Sequence, residues 1–226
     1  MTPFLSYYPL YFFYLCAGSV LFSFHFLILL TTLCQKYNLS IDSFCYVLTD
    51  FAPKNLEYWR HHPNLQPYFN SGLLDIALFD VNSSSELDLQ VSQRKIKPRS
   101  LMRPLVIVAN YLFDSIPQEL FYFENGNGFQ VLVSLPKSAK LPANNEAVLP
   151  KTNIRHSYRL KEMAQPFYSE PYLQQIIDDY QQTISDAYIL FPAVGLRCLQ
   201  RMRALSSKGI LLLTADKGSL LLEEVQ

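Results

Sequence analysis

The sequence lacks the motifs of several large enzyme classes. It contains no G-x-S-x-G nucleophile motif, no H-E-x-x-H zinc-protease motif and no phosphate-binding loop. Its four cysteines form no C-x-x-C pair and do not cluster with the four histidines, so no metal site is expected. Free thiols of this kind fit a cytoplasmic protein, because the cytosol is reducing.

The chain also has no net charge at pH 7. The 226 residues carry 19 acidic and 19 basic side chains, so no overall field would attract the chain to nucleic acid, and no nucleic-acid partner is expected. Half of the residues are hydrophobic and 14% are aromatic, which excludes a disordered chain. The length favours one domain over residues 1–226.

Charged residues are absent between Phe4 and Cys34. Such a run meets the usual criterion for a membrane-spanning helix, over about residues 8–33, and would make this a single-pass membrane protein. It lacks the preceding basic residues of a signal peptide. However, Cys16-Ala17-Gly18-Ser19 divides a strand-like part from a helix-like part, and a buried strand, turn and helix would look equally uncharged. Both interpretations remain open.

Four later apolar runs have the length of β-strands, and each stops at or near a small polar residue. They are residues 44–49 before Asp50, 74–79 before Asp80, 105–109 before Asn110 and 210–214 before Asp216. Continuous apolarity is typical of strands that are covered on both faces. The stretches between the runs favour βαβ units, so the sequence predicts a Rossmann-like α/β fold, with a mostly parallel sheet and helices on both faces.

Several connecting segments can be assigned individually. Ser169-Glu170-Pro171 predicts a capped helix start with an acidic first turn, and the apolar spacing that follows, to Ile184, predicts a stripe facing the sheet. Further helices are predicted over residues 53–61 and 193–205. Three further segments interrupt this alternation: residues 82–103 suit an inserted hairpin, residues 119–123 and 129–135 flank an Asn-Gly hairpin signal, and residues 136–151 suit a surface loop.

The fourth strand and its flanking residues resemble a known family. The stretch Val108-Ala109-Asn110-Tyr111-Leu112-Phe113-Asp114-Ser115-Ile116-Pro117 resembles the ANE-x-x-D-x-x-P motif of the arginine methyltransferase-like family, which includes a mitochondrial complex I assembly factor. Residues 46–51, 55–59, 190–192 and 197–199 are similar to methyltransferase-like proteins, some of which carry tetratricopeptide repeats. The resemblance covers residues 9–218. It implies a class I methyltransferase dependent on S-adenosylmethionine (SAM).

The resemblance implies a SAM site at the carboxyl ends of the strands. By position, Asp50 would hold the ribose, Asp80 and Val81 would border the adenine, Cys16, Ala17 and Gly18 would face the amino-acid part, and Asn110 and Asp114 would face a protein or small-molecule methyl acceptor. A carboxylate after the second strand is also well placed to accept ribose hydroxyls on general grounds. Two of the acids have a structural alternative, since Asp50 and Asp114 could cap the helices that follow them, and for Asp50 the two roles can coexist.

The opening loop departs from the family pattern. The family reads E-x-G-x-G-x-G where this chain reads Tyr14 to Val20, and only Gly18 remains of the glycines. Glycine there permits unusual φ angles and close approach to the cofactor, so Cys16 and Val20 would strain the turn or fill the methionine site. Tyr14 replaces the acid, and Tyr111 replaces the ANE glutamate. Two readings follow: weak SAM binding with methyl transfer, or a pseudoenzyme that keeps the fold for interaction.

Two other features indicate partners. Five basic residues, Arg94, Lys95, Lys97, Arg99 and Arg103, lie on the inserted hairpin and form either a solvated loop or a docking surface for an acidic partner. Only residues 219–226 follow Asp216-Lys217-Gly218, where the superfamily usually adds two or more strands. The sheet is therefore expected to be truncated or the chain a fragment, and a partner would cover the exposed edge.

Overall fold

The computed structural model describes residues 8–134 and 156–216. These residues form two compact units, the first from residues 8–116 and 194–216 and the second from residues 117–134 and 156–193. The single domain stays a prediction, and the surface loop predicted at 136–151 lies outside the described residues.

Helices and strands are numbered in chain order. They are β1 (Leu10–Tyr14), α1 (Leu21–Lys36), β2 (Phe44–Asp50), α2 (Pro53–His61), α3 (Gln66–Asn70), β3 (Leu74–Leu78), β4 (Leu87–Asp88), β5 (Lys95–Ile96), β6 (Leu105–Asn110), β7 (Glu119–Glu124), β8 (Asn127–Ser134), β9 (Ser157–Glu162), α4 (Pro171–Thr183), β10 (Asp186–Phe191), α5 (Ala193–Leu205) and β11 (Ile210–Ala215).

The first unit is built on a five-stranded parallel sheet in the order β11-β6-β1-β2-β3. The central strand β1 pairs with β2 on one side, Phe13 opposite Val47, and with β6 on the other, Phe13 opposite Ile107. The strand order therefore reverses at β1. In open parallel sheets this switch point opens a crevice at the carboxyl ends of the strands, where ligands bind.

Successive side chains of each strand point to opposite faces of the parallel sheet, and both faces are covered by helices. On one face, Phe13, Val47 and Ile107 pack in one cluster with Cys198 and Met202 of α5. On the other face, strand residues such as Tyr46, Leu48 and Ile76 pack with Leu27 of α1 and with Leu56 and Trp59 of α2. The predicted Rossmann-like α/β fold, with helices on both faces, is confirmed.

The uncharged opening segment forms a strand, a turn and a helix. Residues 10–14 lie in β1 and the helix begins only at Leu21, so residues 8–33 do not form one unbroken helix. Within the described ranges, no helix has the length and apolarity that crossing a membrane requires. Helix α1 buries Leu27 but exposes Leu29 and Leu33, so its outer side is apolar as well.

The stretch after β3 contains a short antiparallel pair, in which Leu87 of β4 lies opposite Ile96 of β5. Asp75, which is buried in β3, accepts hydrogen bonds from the backbone N–H groups of Val91 and Ser92 at 2.9 and 3.0 Å. A buried carboxylate needs such donors. They attach the inserted segment to the sheet.

The second unit contains an antiparallel sheet that the sequence did not indicate as a whole. Its order is β10-β7-β8-β9. The hairpin of β7 and β8 is confirmed: Asn125 and Gly126 adopt φ angles of 48° and 82°, as a two-residue type I′ turn requires. Strand β9 gave no signal because all six of its residues are exposed, so it carries no alternation of apolar and polar positions.

Helix α4 corrects two predictions. It packs on β7, so its apolar stripe, with Leu173 and Ile177 buried, faces the antiparallel sheet, whereas the stripe was predicted to face the parallel sheet. Glu170 is the N-cap residue and does not lie in the first turn, and its side chain makes no cap hydrogen bond. The side-chain oxygen of Gln174 instead accepts hydrogen bonds from two backbone N–H groups that precede the helix, at 2.8 Å each.

Candidate cofactor site

The loop after β1 lies between the ends of two neighbouring strands. Tyr14, the last residue of β1, is in register with Leu48 of β2 and Val108 of β6. Both neighbours continue for two more residues and end at Asp50 and Asn110. The fold thus brings the loop, Asp50 and Asn110 to the same edge of the sheet, as the sequence predicted.

Backbone hydrogen bonds hold this loop in a defined shape. The N–H of Leu15 donates to the carbonyl oxygen of Val108, and that of Ala17 to the carbonyl oxygen of Thr49, each at 2.9 Å. Cys16 and Gly18 both have φ angles of 52°. Glycine adopts this left-handed conformation freely, whereas a residue with a side chain loses about 1–2 kcal/mol. The expected strain therefore falls on Cys16, at a position where the family that the sequence resembles has glycine.

Asp50 joins the loop to the start of α2. Its carboxylate is 3% exposed and accepts hydrogen bonds from the backbone N–H of Gly18 at 3.3 Å, the backbone N–H of Ala52 at 2.9 Å and the side-chain amide of Asn55 at 2.8 Å. A carboxylate offers about four acceptor positions. Most of them are therefore used within the protein, and Asp50 stabilises the start of α2.

Tyr14 occupies the position at which the family that the sequence resembles has an acidic residue. Its side chain is buried, and its hydroxyl hydrogen-bonds with the side chain of Asn110. Burial raises the pKa of Tyr14, and the hydrogen bond with Asn110 opposes this rise only in part. The phenol therefore stays neutral near pH 7. It cannot provide the negative charge that would attract a cofactor ammonium group.

The side chains at the other two glycine positions are accommodated by the core. Cys16 is partly buried, and burial raises the pKa of its thiol to about 12, with smaller contributions from Asp50 and Cys198. Its thiol is thus protonated near pH 7. Val20, at the third glycine position, is 7% exposed and packs in the cluster that contains Leu27.

Asp80 lies two residues beyond the end of β3 and is held by its own turn. Its carboxylate accepts hydrogen bonds from the backbone N–H of Asn82 at 2.9 Å and the hydroxyl of Ser83 at 2.8 Å, and these bonds lower its pKa. The neighbouring Val81 is buried, and its carbonyl oxygen accepts a hydrogen bond from the guanidinium of Arg201 on α5. The turn is therefore anchored to a helix.

The residues after β6 form a turn and not the helix that Asp114 was expected to cap. That alternative role of Asp114 is therefore wrong. Asp114 is exposed, and its carboxylate accepts a hydrogen bond from the hydroxyl of Ser115 at 3.0 Å. Tyr111, at the ANE glutamate position, is 59% exposed and has a φ angle of 52°. Within the described ranges, no cluster of three or more His, Cys, Asp and Glu side chains could hold a metal ion.

Comparisons with known proteins support the fold. No protein-family model matches the chain, and no curated protein matches it. Two crystal structures from Burkholderia thailandensis are similar. One is a superfamily member described as a "likely methyl transferase" and bound to S-adenosyl-homocysteine, with 10% identity and a TM-score of 0.52 over 92% of this chain. The other is an uncharacterized protein of that superfamily, with 11% identity and a TM-score of 0.51 over 90%.

The chain shares the fold of these two proteins. At 10% and 11% identity, the likeness concerns the fold alone. The matched region also spans only 42% of the length of each of these chains.

Two residues at this edge were not assigned a role from the sequence. Asn55 donates to Asp50, and Trp59 donates its indole N–H to the carbonyl oxygen of Gly18 at 3.1 Å. A signal for Asn55 exists, because a polar side chain at the third position of a helix can reach back to groups that precede the helix. No comparable local pattern connects Trp59 with Gly18.

The side chains present fit the two halves of a SAM molecule unequally. For the ribose half, the buried carboxylate of Asp50, at the end of β2 beside the switch-point strand β1, has the acceptor chemistry that ribose hydroxyls would need. The amino-acid half is poorly matched, since a neutral, buried Tyr14 replaces the acid and Cys16 takes a glycine conformation.

Proposed function

We propose that this chain is a SAM-dependent methyltransferase-like protein that binds SAM weakly and transfers its methyl group to a protein or small-molecule acceptor. The observation that carries the proposal is the position of Asp50 at the carboxyl edge of β2, bonded to the backbone of the loop that follows the central strand. A protein with the same fold is described as bound to S-adenosyl-homocysteine (SAH), which supports this assignment.

Asp50 is the residue that would hold the ribose. Two neighbouring hydroxyls need two acceptor positions, and Asp50 already accepts three hydrogen bonds. The bond from Gly18 is the longest, at 3.3 Å, and is the one that a ribose hydroxyl would replace at least cost. Asp80 and Val81 would border the adenine, and Cys16, Ala17 and Gly18 would face the amino-acid part. Binding is expected to be weak, because Tyr14 provides no carboxylate for the ammonium group.

When bound, SAM supplies a methyl group on a positively charged sulfur. Transfer would form a bond between the acceptor's nucleophilic atom and the methyl carbon while the bond from that carbon to sulfur breaks, with SAH as the leaving group. Asn110 would position the acceptor, and Asp114 would take the proton of a nucleophile that carries one. The carboxylate of Asp114 is exposed, and among the described residues its hydrogen bond comes from the hydroxyl of Ser115 at 3.0 Å, which leaves acceptor positions for such a role.

A second candidate function is a non-catalytic interaction protein that keeps the fold. The hydrogen bond between Tyr14 and Asn110 favours it, because it engages the amide that would otherwise face the acceptor. In this alternative a partner would cover β11, which is an edge strand of the parallel sheet among the described residues and exposes Leu211 and Leu213. An open edge offers unpaired backbone groups to another strand.

Calorimetric titration with SAH tests the first proposal. The wild type is expected to release or absorb heat with a saturable profile, and Asp50→Asn should weaken binding at least about tenfold, because hydrogen bonds to a charged acceptor contribute about 1.5–3 kcal/mol. Asp42→Asn is the matched control, since Asp42 is an exposed acid that precedes the same strand. Thermal unfolding of each variant without ligand checks that the fold is retained.

The outcomes separate the two candidates. Absence of binding heat, together with no thermal shift on adding SAH, would contradict SAM binding and leave the interaction protein. An equal loss of affinity in Asp42→Asn and Asp50→Asn would contradict the assigned site. SAH binding without transfer of radiolabelled methyl from SAM to any protein of a cell extract or to a small-molecule panel would mean that the cofactor site is kept and catalysis is lost.

A further inference from the structure

A concave surface lies at the start of β1, at the opposite end of the parallel strands from Asp50. It is a cavity of about 400 Å³, a volume within the range of ligand pockets. One wall consists of Tyr8, Pro9 and Tyr11, and the facing wall consists of residues 94–96 and 100–102. We call it the Tyr11 cavity.

The Tyr11 cavity has an apolar floor and a cationic rim. Among its lining residues, Tyr11, Ile96 and Leu101 are buried and belong to the core of the first unit, so they form the floor. Arg94 and Lys95 are exposed and lie at the rim. Such a cavity suits a ligand with an apolar body and negative charge beside it.

The positive charge extends beyond the rim. Residues 90–103 contain five basic residues and no acidic one, although the whole chain is balanced. Lys95 lies 3.4 Å from Asp88, but both side chains are about two-thirds exposed, and exposed pairs of this kind contribute little. Lys97 and Arg99 are exposed on the segment that links the two parts of the facing wall. The surface therefore attracts an acidic ligand.

The backbone of this segment is held by the protein itself. The N–H of Lys97 donates to the hydroxyl oxygen of Ser100 at 3.0 Å, that of Arg99 to the carbonyl oxygen of Ala204 at 2.8 Å, and that of Leu101 to the carbonyl oxygen of Leu205 at 3.0 Å. Compact phosphate sites are commonly built from backbone N–H groups that point at the anion. These N–H groups are already used, so recognition falls to the basic side chains, which are distributed along the chain.

We propose that the Tyr11 cavity binds a segment of a partner protein in which one aromatic or large aliphatic residue is flanked by Asp and Glu residues. The apolar side chain fills the cavity against Tyr11 and Leu101, and the carboxylates contact Arg94, Lys97 and Arg99. This arrangement resembles other peptide sites, where a buried anchor supplies affinity and surrounding charges select the partner. The proposal does not depend on SAM binding, because Asp50 lies at the opposite end of the strands.

Fluorescence anisotropy of a labelled acidic octapeptide with one central Phe, titrated with the whole chain at near-physiological salt, tests the proposal. Binding is expected to be saturable. The double variant Lys97→Glu, Arg99→Glu should weaken it at least about tenfold, because two attractive contacts become repulsive. Lys54→Glu, which reverses an exposed charge on α2 near Asp50, is the matched control and should stay within about twofold.

A second comparison uses only the wild-type protein, so it does not depend on the folding of a variant. Replacing the Phe of the peptide by Ala should weaken binding at least about fivefold, because the cavity floor then loses its apolar occupant. Three results would overturn the proposal: no saturable binding of the Phe peptide, equal loss of affinity in Lys54→Glu and in the double variant, or full displacement of the peptide by millimolar inorganic phosphate, which would indicate a site for small anions.

Discussion

Trp59 donates its indole N–H to the carbonyl oxygen of Gly18 at 3.1 Å. The donor lies on α2, and the acceptor lies in the loop after the central strand. The N–H of Gly18 donates to the carboxylate of Asp50, so both the N–H and the carbonyl oxygen of this loop residue are hydrogen-bonded. The conformation of the loop and the position of α2 are therefore coupled through Trp59 and Asp50.

This coupling makes Trp59 a reporter of the candidate site. It is the single tryptophan of the chain and is fully buried, so the tryptophan emission of the protein comes from this position alone. Adding SAH is expected to change the emission intensity or wavelength in a saturable way, since the ligand would rearrange hydrogen bonds at Gly18. Free N-acetyltryptophanamide with SAH corrects for absorption by the ligand. Calorimetric binding of SAH without any change in emission would contradict the coupling.

Removal of the indole N–H should destabilise the protein by a defined amount. Trp59→Phe keeps an aromatic ring but leaves the carbonyl oxygen of Gly18 without this donor. The free energy of unfolding is expected to fall by about 1–3 kcal/mol, from the lost hydrogen bond and the smaller ring. Urea denaturation followed by circular dichroism measures it. A variant as stable as the wild type would mean that the hydrogen bond contributes nothing.

Asn55→Ala tests whether Asp50 is positioned by α2. The side-chain amide of Asn55 donates a hydrogen bond to the carboxylate of Asp50 at 2.8 Å, which is the shortest of the three hydrogen bonds to that carboxylate. Without it, the free energy of unfolding should fall by about 1–2 kcal/mol, and SAH affinity should change by more than about threefold. Asn64→Ala, an exposed asparagine beyond α2, is the control and should alter neither quantity. Equal effects in both variants would remove the assigned role of Asn55.

Alkaline pH should destabilise the protein. Burial raises the pKa of the Cys45 thiol from an ordinary value of 9.0 to about 12, and it raises the pKa of the Cys16 thiol to about 12 as well. Above about pH 9 the unfolded chain loses protons that the folded chain keeps, so the free energy of unfolding falls as the pH rises from 9 toward 12. Each such thiol lowers the free energy of unfolding by up to about 1.4 kcal/mol for each pH unit in this range.

Urea denaturation at pH 8, 9 and 10, on two variants of β2, checks the alkaline effect. Cys45→Ala is expected to be less stable than the wild type at pH 8 but to lose stability less steeply above about pH 9, because one titrating thiol is gone. Leu48→Ala removes a buried side chain that does not titrate. The difference in free energy of unfolding between this variant and the wild type should therefore be the same at every pH. Parallel curves for all three proteins would contradict the assignment.

The two sides of α1 should respond differently to substitution. Leu27 is fully buried, so Leu27→Ala is expected to lower the free energy of unfolding by about 2–5 kcal/mol. Leu29 is 63% exposed on the same helix, so Leu29→Lys should change it by less than about 0.5 kcal/mol and should improve solubility. Thermal unfolding and sedimentation of the purified variants measure both effects. A large loss of stability in Leu29→Lys would mean that the outer side of α1 is covered.

The parallel sheet was predictable because its signal is local. The strands at residues 44–49, 74–79, 105–109 and 210–214 are continuous apolar runs that end beside polar residues, and this property does not depend on the strand partners. The antiparallel sheet was not predictable as a whole. Strand β9 is exposed at every position, so it has no alternation of apolar and polar residues that would mark it as a strand in a short window of sequence.

The amino-acid sequence by itself determined the alternation of buried strands and helices in the first unit and the position of Asp50 at the end of a strand. Only the tertiary structure decided which groups surround that carboxylate, that Tyr14 bonds to Asn110, and that Cys16 adopts a left-handed backbone. The physical reason is one of range. Apolar periodicity arises from neighbouring residues, whereas Gly18 and Asp50 are 32 residues apart and meet only once the sheet has formed.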